Sequence, residues 1–273
     1  MSRVWRAAVL LALSLLVGTL LAPAALAAQE FQWSSPRPQG ELLTAVAYGD
    51  GQFVAVGRGG AILTSTDGSA WKHRPFWVTG ALNSVAYGAG RFVAVGAGGL
   101  IATSVDGATW VRRDAGTRAH LYAVTYAGDR FLVVGSSGML LFSADGMTWQ
   151  EQRSDTHFDL FAVAYGAGRY LAAGQMGTVI ASPDGATWSR QPTGTVNDLR
   201  GATYGGGRFA VVGDQGTVLT SADGVTFKLE GARADDLKAV ARGADRFVAA
   251  GAQLSVSVID APWTVYRTLP VSA

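Results

Sequence analysis

The chain has 273 residues, with 22 Lys and Arg against 20 Asp and Glu, 36 Gly and no Cys. The lack of Cys excludes disulfide bracing, thiolate metal sites and Cys nucleophiles, so packing alone must hold the fold. Charged residues make up 15%, well under the roughly 25% of an ordinary domain; with so much Gly, this points to many strands buried on both faces and joined by tight turns.

The first segment reads as an export signal. Arg3 and Arg6 open it, Ala7 to Ala22 is an apolar run broken only by Ser14, Gly18 and Thr19, and Ala25-Leu26-Ala27 places small residues before a cut. Residues 1–27 are therefore expected to be a Sec-type signal peptide, too short and wrongly flanked for a spanning helix. No Cys lies near the cut, and Arg3 and Arg6 are not adjacent, which argues against a lipoprotein and a twin-arginine signal. The expected location is secreted or periplasmic, in a bacterial cell envelope, with no stable membrane insertion after cleavage. Residues 1–27 hold two Arg and no acid, so the remainder balances 20 basic against 20 acidic residues. A sequence pI near 9.0 is then no evidence for nucleic-acid binding.

From Leu43 onward one phrase recurs. Leu82 to Trp110 reads LNSVAYGAGRFVAVGAGGLIATSVDGATW, and Leu43 to Trp71, Leu121 to Trp149, Leu160 to Trp188 and Leu199 to Phe227 follow it. A worn sixth copy runs from Leu237 to Trp263. The closing aromatics at 71, 110, 149, 188 and 227 step by 39 residues. Each module parses into four strands: LNSVAYG, RFVAV, LIATS and ATWVRR in the second copy. The GAG and GAGG stretches reverse the chain, and Asp106-Gly107 is expected to form a two-residue hairpin turn. Four short strands per module, repeated, predict an all-β fold: a six-bladed β-propeller of four-stranded antiparallel blades in a single domain, residues 28–273. A β-helix is the rival, but its rungs are shorter and lack three hairpin turns each. Phe92-Val93-Ala94-Val95 is apolar on both faces, as a strand covered by a neighbouring blade on each side must be. A strand near 31–35, around Trp33, is expected to complete the blade begun at Leu237 and close the ring, with the tail PWTVYRTLP competing for that slot.

The phrases SVDGATW, SADGMTW, SPDGATW and SADGVTF resemble Asp-box (BNR) repeats of sialidase-type propellers, though they lack one residue between Asp and Gly. The whole module is similar to secreted bacterial propellers grouped with BNR and photosystem II assembly-factor repeats. That resemblance covers residues 33–263 and implies a propeller whose Asp67, Asp106, Asp145, Asp184 and Asp223 are structural Asp-box residues. It also implies a scaffold or chaperone-like role as one option and a sialidase-like glycoside hydrolase or lyase as the other.

The residues favour the first. Tyr48, Tyr87, Tyr126, Tyr165 and Tyr204 occupy one repeat position, which packing explains. The four Glu (30, 41, 151 and 230) share no motif with them. No catalytic residue, cofactor or metal site is assigned: one Asp per separated blade cannot converge on calcium, and the three His have no ligand spacing. Arg91, Arg130, Arg169 and Arg208 each lie 15 residues before an Asp-box Asp, and an Arg–Asp pair is expected within each of these blades. What does not repeat is the connection from each fourth strand to the next blade, and loops on a rigid scaffold are where binding concentrates. The candidate binding residues are Arg58, His73, Arg74, Phe76, Trp77, Arg112, Arg113, His120, Arg153, His157, Phe158 and Arg190, expected on one face around the channel mouth. The expected protein is a non-catalytic monomer that engages a protein partner or a glycan, and no nucleic acid.

Overall fold

A computed structural model describes residues 42–78, 80–231, 236–243, 247–251 and 254–257. The expected signal peptide at 1–27, the strand near 31–35, the tail around Trp263 and the ring closure assigned to them lie outside these residues.

The described chain is an all-β, six-bladed propeller. Blade 1 holds β1 (Leu43–Gly49), β2 (Gln52–Gly57), β3 (Ile62–Ser65) and β4 (Lys72–His73). Blade 2 holds β5 (Leu82–Gly88), β6 (Arg91–Gly96), β7 (Ile101–Ser104) and β8 (Val111–Arg113). Blade 3 holds β9 (Leu121–Ala127), β10 (Arg130–Gly135), β11 (Leu140–Ser143) and β12 (Gln150–Gln152). Blade 4 holds β13 (Leu160–Gly166), β14 (Arg169–Gly174), β15 (Val179–Ser182) and β16 (Ser189–Gln191). Blade 5 holds β17 (Leu199–Gly205), β18 (Arg208–Gly213), β19 (Val218–Ser221) and β20 (Lys228–Gly231). The described part of blade 6 holds β21 (Leu237–Arg242), β22 (Phe247–Gly251) and β23 (Leu254–Ser257). Each sheet is antiparallel in simple sequential order, and the first strands of successive blades pack side by side as the inner wall.

The first turn of each module is the two-residue hairpin. Asp50-Gly51, Ala89-Gly90, Gly128-Asp129, Ala167-Gly168 and Gly206-Gly207 all have both residues at positive φ, the conformation that matches the twist of the flanking strands. The sequence reading placed this turn at Asp106-Gly107, and the structure moves it. Asp106 sits in the six residues between β7 and β8, a turn closed by its own side chains. Ser104 Oγ donates to Asp106 Oδ1 at 2.9 Å, and the same oxygen accepts the N–H groups of Ala108 and Thr109 at 2.9 and 2.7 Å. Trp110 Nε1 donates to Gly107 O at 2.9 Å. These bonds need the longer turn, so the fourth strand starts at Val111 rather than Ala108. Asp67, Asp145, Asp184 and Asp223 hold their turns in the same way.

The core lies between blades. Phe92 and Ala94 cluster with Val54, Val56 and Ile62 of blade 1, while Val93 and Val95 cluster with Phe131 and Val133 of blade 3. All four β6 side chains are fully buried, and each large one adds about 1.5–3 kcal/mol. Trp110 and Trp188, at 7% and 5% exposure, plug the outer gap. At the inner end a Tyr lies on a Gly. A Cβ added at Gly49, Gly88 or Gly166 would land on the ring carbons of Tyr87, Tyr126 or Tyr204 in the following blade. The repeated Tyr position is therefore a packing position.

The four expected Arg–Asp pairs do not form. Arg91 is not paired with Asp106, nor Arg130 with Asp145, Arg169 with Asp184 or Arg208 with Asp223, among the described residues. Two causes act together. The carboxylates of these Asp residues are already engaged by their own turns. The side chains that open the second strands instead cross to the next blade: Gln52 Nε2 donates to Asp106 O at 2.9 Å, and the Cδ atoms of Arg91 and Arg169 abut Gly146 and Gly224.

Two outcomes follow from this packing. Gly88→Ala should lower stability by about 1–3 kcal/mol, as overpacking does, read from urea unfolding; Ala127→Gly, where blade 3 already carries a Cβ, should lose far less. Backbone N–H groups of Thr109, Thr148, Thr187 and Thr226 are the main cause holding Asp106, Asp145, Asp184 and Asp223 at about 2, against 3.8 for a free Asp. The folded values are depressed, so their contribution is complete above the unfolded value and disappears as pH falls through the folded one. Urea midpoints should therefore fall between pH 4 and pH 2, and a variant with these four Asp changed to Asn should be weaker at neutral pH and flatter across that window.

Candidate functional site

The two ends of the propeller differ. One carries the two-residue hairpins and the Asp-box turns, which repeat. The other carries the turn between second and third strands and the connection to the next blade, and these lie side by side. Arg58 N donates to Leu42 O, Ser136 N to His120 O and Asp214 N to Asp198 O, at 2.8–2.9 Å. Gly60, Gly99, Gly138 and Gly177 abut the carbonyls of Val78, Thr117, Thr156 and Thr195 in the connections. This is the connection face.

The candidate residues divide on it. Arg58, Trp77, Arg112, His120, Arg153, His157 and Arg190 are exposed. Trp77, at 81% exposure, stands beside Phe76, which packs against Trp110. Arg190 lies over the Phe158 ring at 5.8 Å, and Arg153 pairs with Asp155 at 2.7 Å. Several candidates are not loop residues. His73 lies in β4, Arg112 and Arg113 in β8, and Arg190 in β16. Arg74 Nε and Arg113 Nε each donate to a Thr of the third strand, Thr64 and Thr103, at 2.9 Å, so they brace blade edges. His120 Nδ1 faces the Gly98 N–H at 3.4 Å, as a turn cap.

The sequence reading missed a linked rim at the channel mouth. The second residue of the inner strand reaches toward the next blade in blades 1 to 3. Thr44 Oγ1 donates to Leu82 O at 2.6 Å, Asn83 Nδ2 to Leu121 O at 2.8 Å, and Tyr122 Oη to Asp159 Oδ2 at 3.1 Å. Phe161 stacks beside Tyr122 and lies under Arg200, 4.5 Å from ring centre to guanidinium. Arg200 is bidentate to Asp214, at 3.1 and 2.7 Å, and bonds Asp198 at 2.9 Å. Lys238 bridges Asp214 and Asp236, at 2.6 and 3.0 Å. The Arg200 hydrogen bond, with help from Lys238, holds the Asp214 carboxyl below the usual range, and Asp214 raises Arg200 in turn. Burial, then the Asp159 charge, pushes the Tyr122 hydroxyl up. The signal available in the sequence was variation: positions 44, 83, 122, 161, 200 and 238 read Thr, Asn, Tyr, Phe, Arg and Lys inside near-constant phrases.

Glu151 is exposed in β12, and Glu230 is taken up by Lys228 and Thr220. Among the described residues no Glu bonds a Tyr, no group of three or more metal-ligating side chains is present, and no helix is long and apolar enough to cross a membrane.

No family model and no curated protein matches the sequence. Solved structures do match. YCF48 bound to a D1 peptide is 15% identical with a TM-score of 0.65, over 79% of this chain and 77% of that one. YCF48 from Cyanidioschyzon merolae is 16% identical with a TM-score of 0.63, over 81% of each. The computationally designed Ika8 protein is 15% identical with a TM-score of 0.66, over 83% of this chain and 73% of that one. These likenesses agree with the β-propeller fold.

Asp214 is the joint of the blade 5–6 rim. Asp214→Ala should cost about 1–2 kcal/mol, between the values for exposed and buried pairs, and the loss should shrink in 1 M salt as the charges are screened. Urea unfolding at low and high salt checks both statements.

Proposed function

We propose that this protein is a non-catalytic propeller scaffold of the bacterial cell envelope, exported by a Sec-type signal and monomeric, that binds a protein partner through its connection face. In this reading it is kin to BNR-like and assembly-factor-like propellers, on the strength of the Ser-x-Asp-Gly turns. One observation carries the reading: the side chains that break the repeat gather on one end of a ring whose other positions are nearly constant. Trp77 and the Tyr122–Phe161–Arg200 rim belong to that end, and Arg190 borders it over Phe158. Trp, Tyr and Arg are the residue types that dominate binding energy at protein interfaces. A propeller of similar fold, YCF48, is known bound to a peptide. The repeated Tyr ring, the feature closest to a sialidase nucleophile position, packs on Gly, which supports binding over hydrolysis.

The test is affinity capture from native envelope extract. A variant with Trp77 and Arg190 changed to Ala should lose most of the captured protein, while Val105→Ser on the opposite end should retain it. Equal capture by both variants overturns the assignment to this face. Capture of glycan in place of protein overturns the partner class.

A further inference from the structure

One turn, compared blade by blade, shows a donor without the acceptor that its counterparts have. The middle residue of the turn between second and third strands has positive φ in blades 1 to 5: Gly59, Gly98, Ser137, Met176 and Gln215. In blades 3, 4 and 5 its N–H donates to a carboxylate, Asp159 Oδ1 at 2.9 Å, Asp198 Oδ1 at 2.9 Å and Asp236 Oδ1 at 3.0 Å. Each of these Asp residues immediately precedes the Leu that opens the next inner strand. In blade 2 that place is His120, a weaker acceptor at 3.4 Å. In blade 1 it is Ala81, which has no side-chain acceptor. Among the described residues no hydrogen-bond acceptor engages the Gly59 N–H.

The charge around this turn is reversed as well. Its first residue is Ala97, Ser136, Gln175 and Asp214 in blades 2 to 5, but Arg58 in blade 1. Arg58 is exposed, and among the described residues no carboxylate pairs with it. The outer edges and connections of blades 1 and 2 add Lys72, Arg74, Arg112, Arg113 and Arg118, against Asp114 alone. Gly60 abuts the carbonyl of Val78, which brings the exposed Trp77 next to the turn.

We propose that the blade 1 turn is a carboxylate slot. A carboxylate of the partner takes the place that Asp159, Asp198 and Asp236 take on their turns, accepts the Gly59 N–H and is paired by Arg58, with Trp77 alongside. The sister turns show that this backbone accommodates a carboxylate oxygen at 2.9–3.0 Å. A charge-assisted N–H bond backed by a guanidinium is among the stronger hydrogen-bonding arrangements available. The proposal rests on the reading of the connection face as a protein-binding surface and names the chemistry it takes: an Asp or Glu side chain, or a chain-terminal carboxylate.

The experiment follows the Gly59 amide by ¹⁵N spectroscopy of the full secreted chain. Three probes are titrated: acetyl-Gly-Asp-Gly-amide, acetyl-Gly-Gly with a free carboxyl terminus, and neutral acetyl-Gly-Asn-Gly-amide. The Gly59 amide should move with at least one carboxylate probe and not with the neutral one; the probe that moves it tells side chain from terminus. Ala81→Asp should shift this amide without any probe, by supplying the carboxylate internally, and should weaken probe binding about tenfold or more, as loss of a hydrogen bond to a charged group does. Arg58→Gln, a surface change that leaves the remaining amide spectrum in place, should weaken it by a similar factor. Silence of Gly59 to both carboxylate probes, an equal response to the neutral probe, or wild-type affinity in Ala81→Asp overturns the proposal. Should Ala81→Asp fail to fold, unchanged affinity in Arg58→Gln overturns it alone. A silent slot together with intact, face-dependent partner capture removes the slot and leaves the binding face standing.

Discussion

The second strands of blades 2 to 5 are covered on both sides, and the rest of the structure follows from that constraint. Phe92 and Ala94 belong to the interface with blade 1, and Val93 and Val95 to the interface with blade 3. Among the described residues the four large clusters each draw on two adjacent blades, so these blades bury their apolar surface against their neighbours. The low charge content and the absence of Cys agree with this arrangement: a strand buried twice has no room for charge, and matched interfaces leave little for disulfides to add. The Tyr-on-Gly contact completes the interface at the narrow inner end, and the Trp of the Asp-box turn completes it at the wide outer end. Each module thus presents the same wedge to its neighbour.

The fold was legible because the wedge is written in runs of adjacent residues. The expected first strand, LNSVAYG, coincides with β5, and the expected second strand misses only Gly96. Two local readings failed for related reasons. Asp-Gly is the strongest short hairpin signal, yet at 106–107 it sits in a turn whose geometry is decided by Ser104 below it and the Trp110 indole beyond it. The dipeptide alone does not carry that information. The Arg–Asp pairs failed because strand register brings Arg91 close to Asp106 in its own blade, while the Arg91 side chain leaves the plane of the sheet. Register reports which backbones are adjacent; it is silent on which blade a long side chain joins.

The site was legible in outline and hidden in its centre. Variation in the connections pointed to the end of the ring where the connections and the turns between second and third strands lie side by side, and Trp77 is exposed there. The rim was hidden because its partners lie far apart in the sequence: Arg200 meets Asp214 across 14 residues within blade 5, and Lys238 of blade 6 meets the same Asp214 across 24. Asp214 looks like an ordinary turn residue until the propeller closes the distance. The same curvature turns Asp159, Asp198 and Asp236 into caps for turns that precede them by 21 or 22 residues. Such partners are apparent only once the wedge angle is known.

The identical step of 39 residues between closing aromatics also bears on how such a chain changes over generations. In-frame duplication or loss of one module through unequal recombination joins surfaces that already fit, because each blade's leading side matches every other blade's trailing side. The number of blades is then governed by the taper between the crowded Tyr–Gly end and the broad Trp end. Novelty is free to accumulate at the few positions, such as 58 and 81, that the wedge does not use.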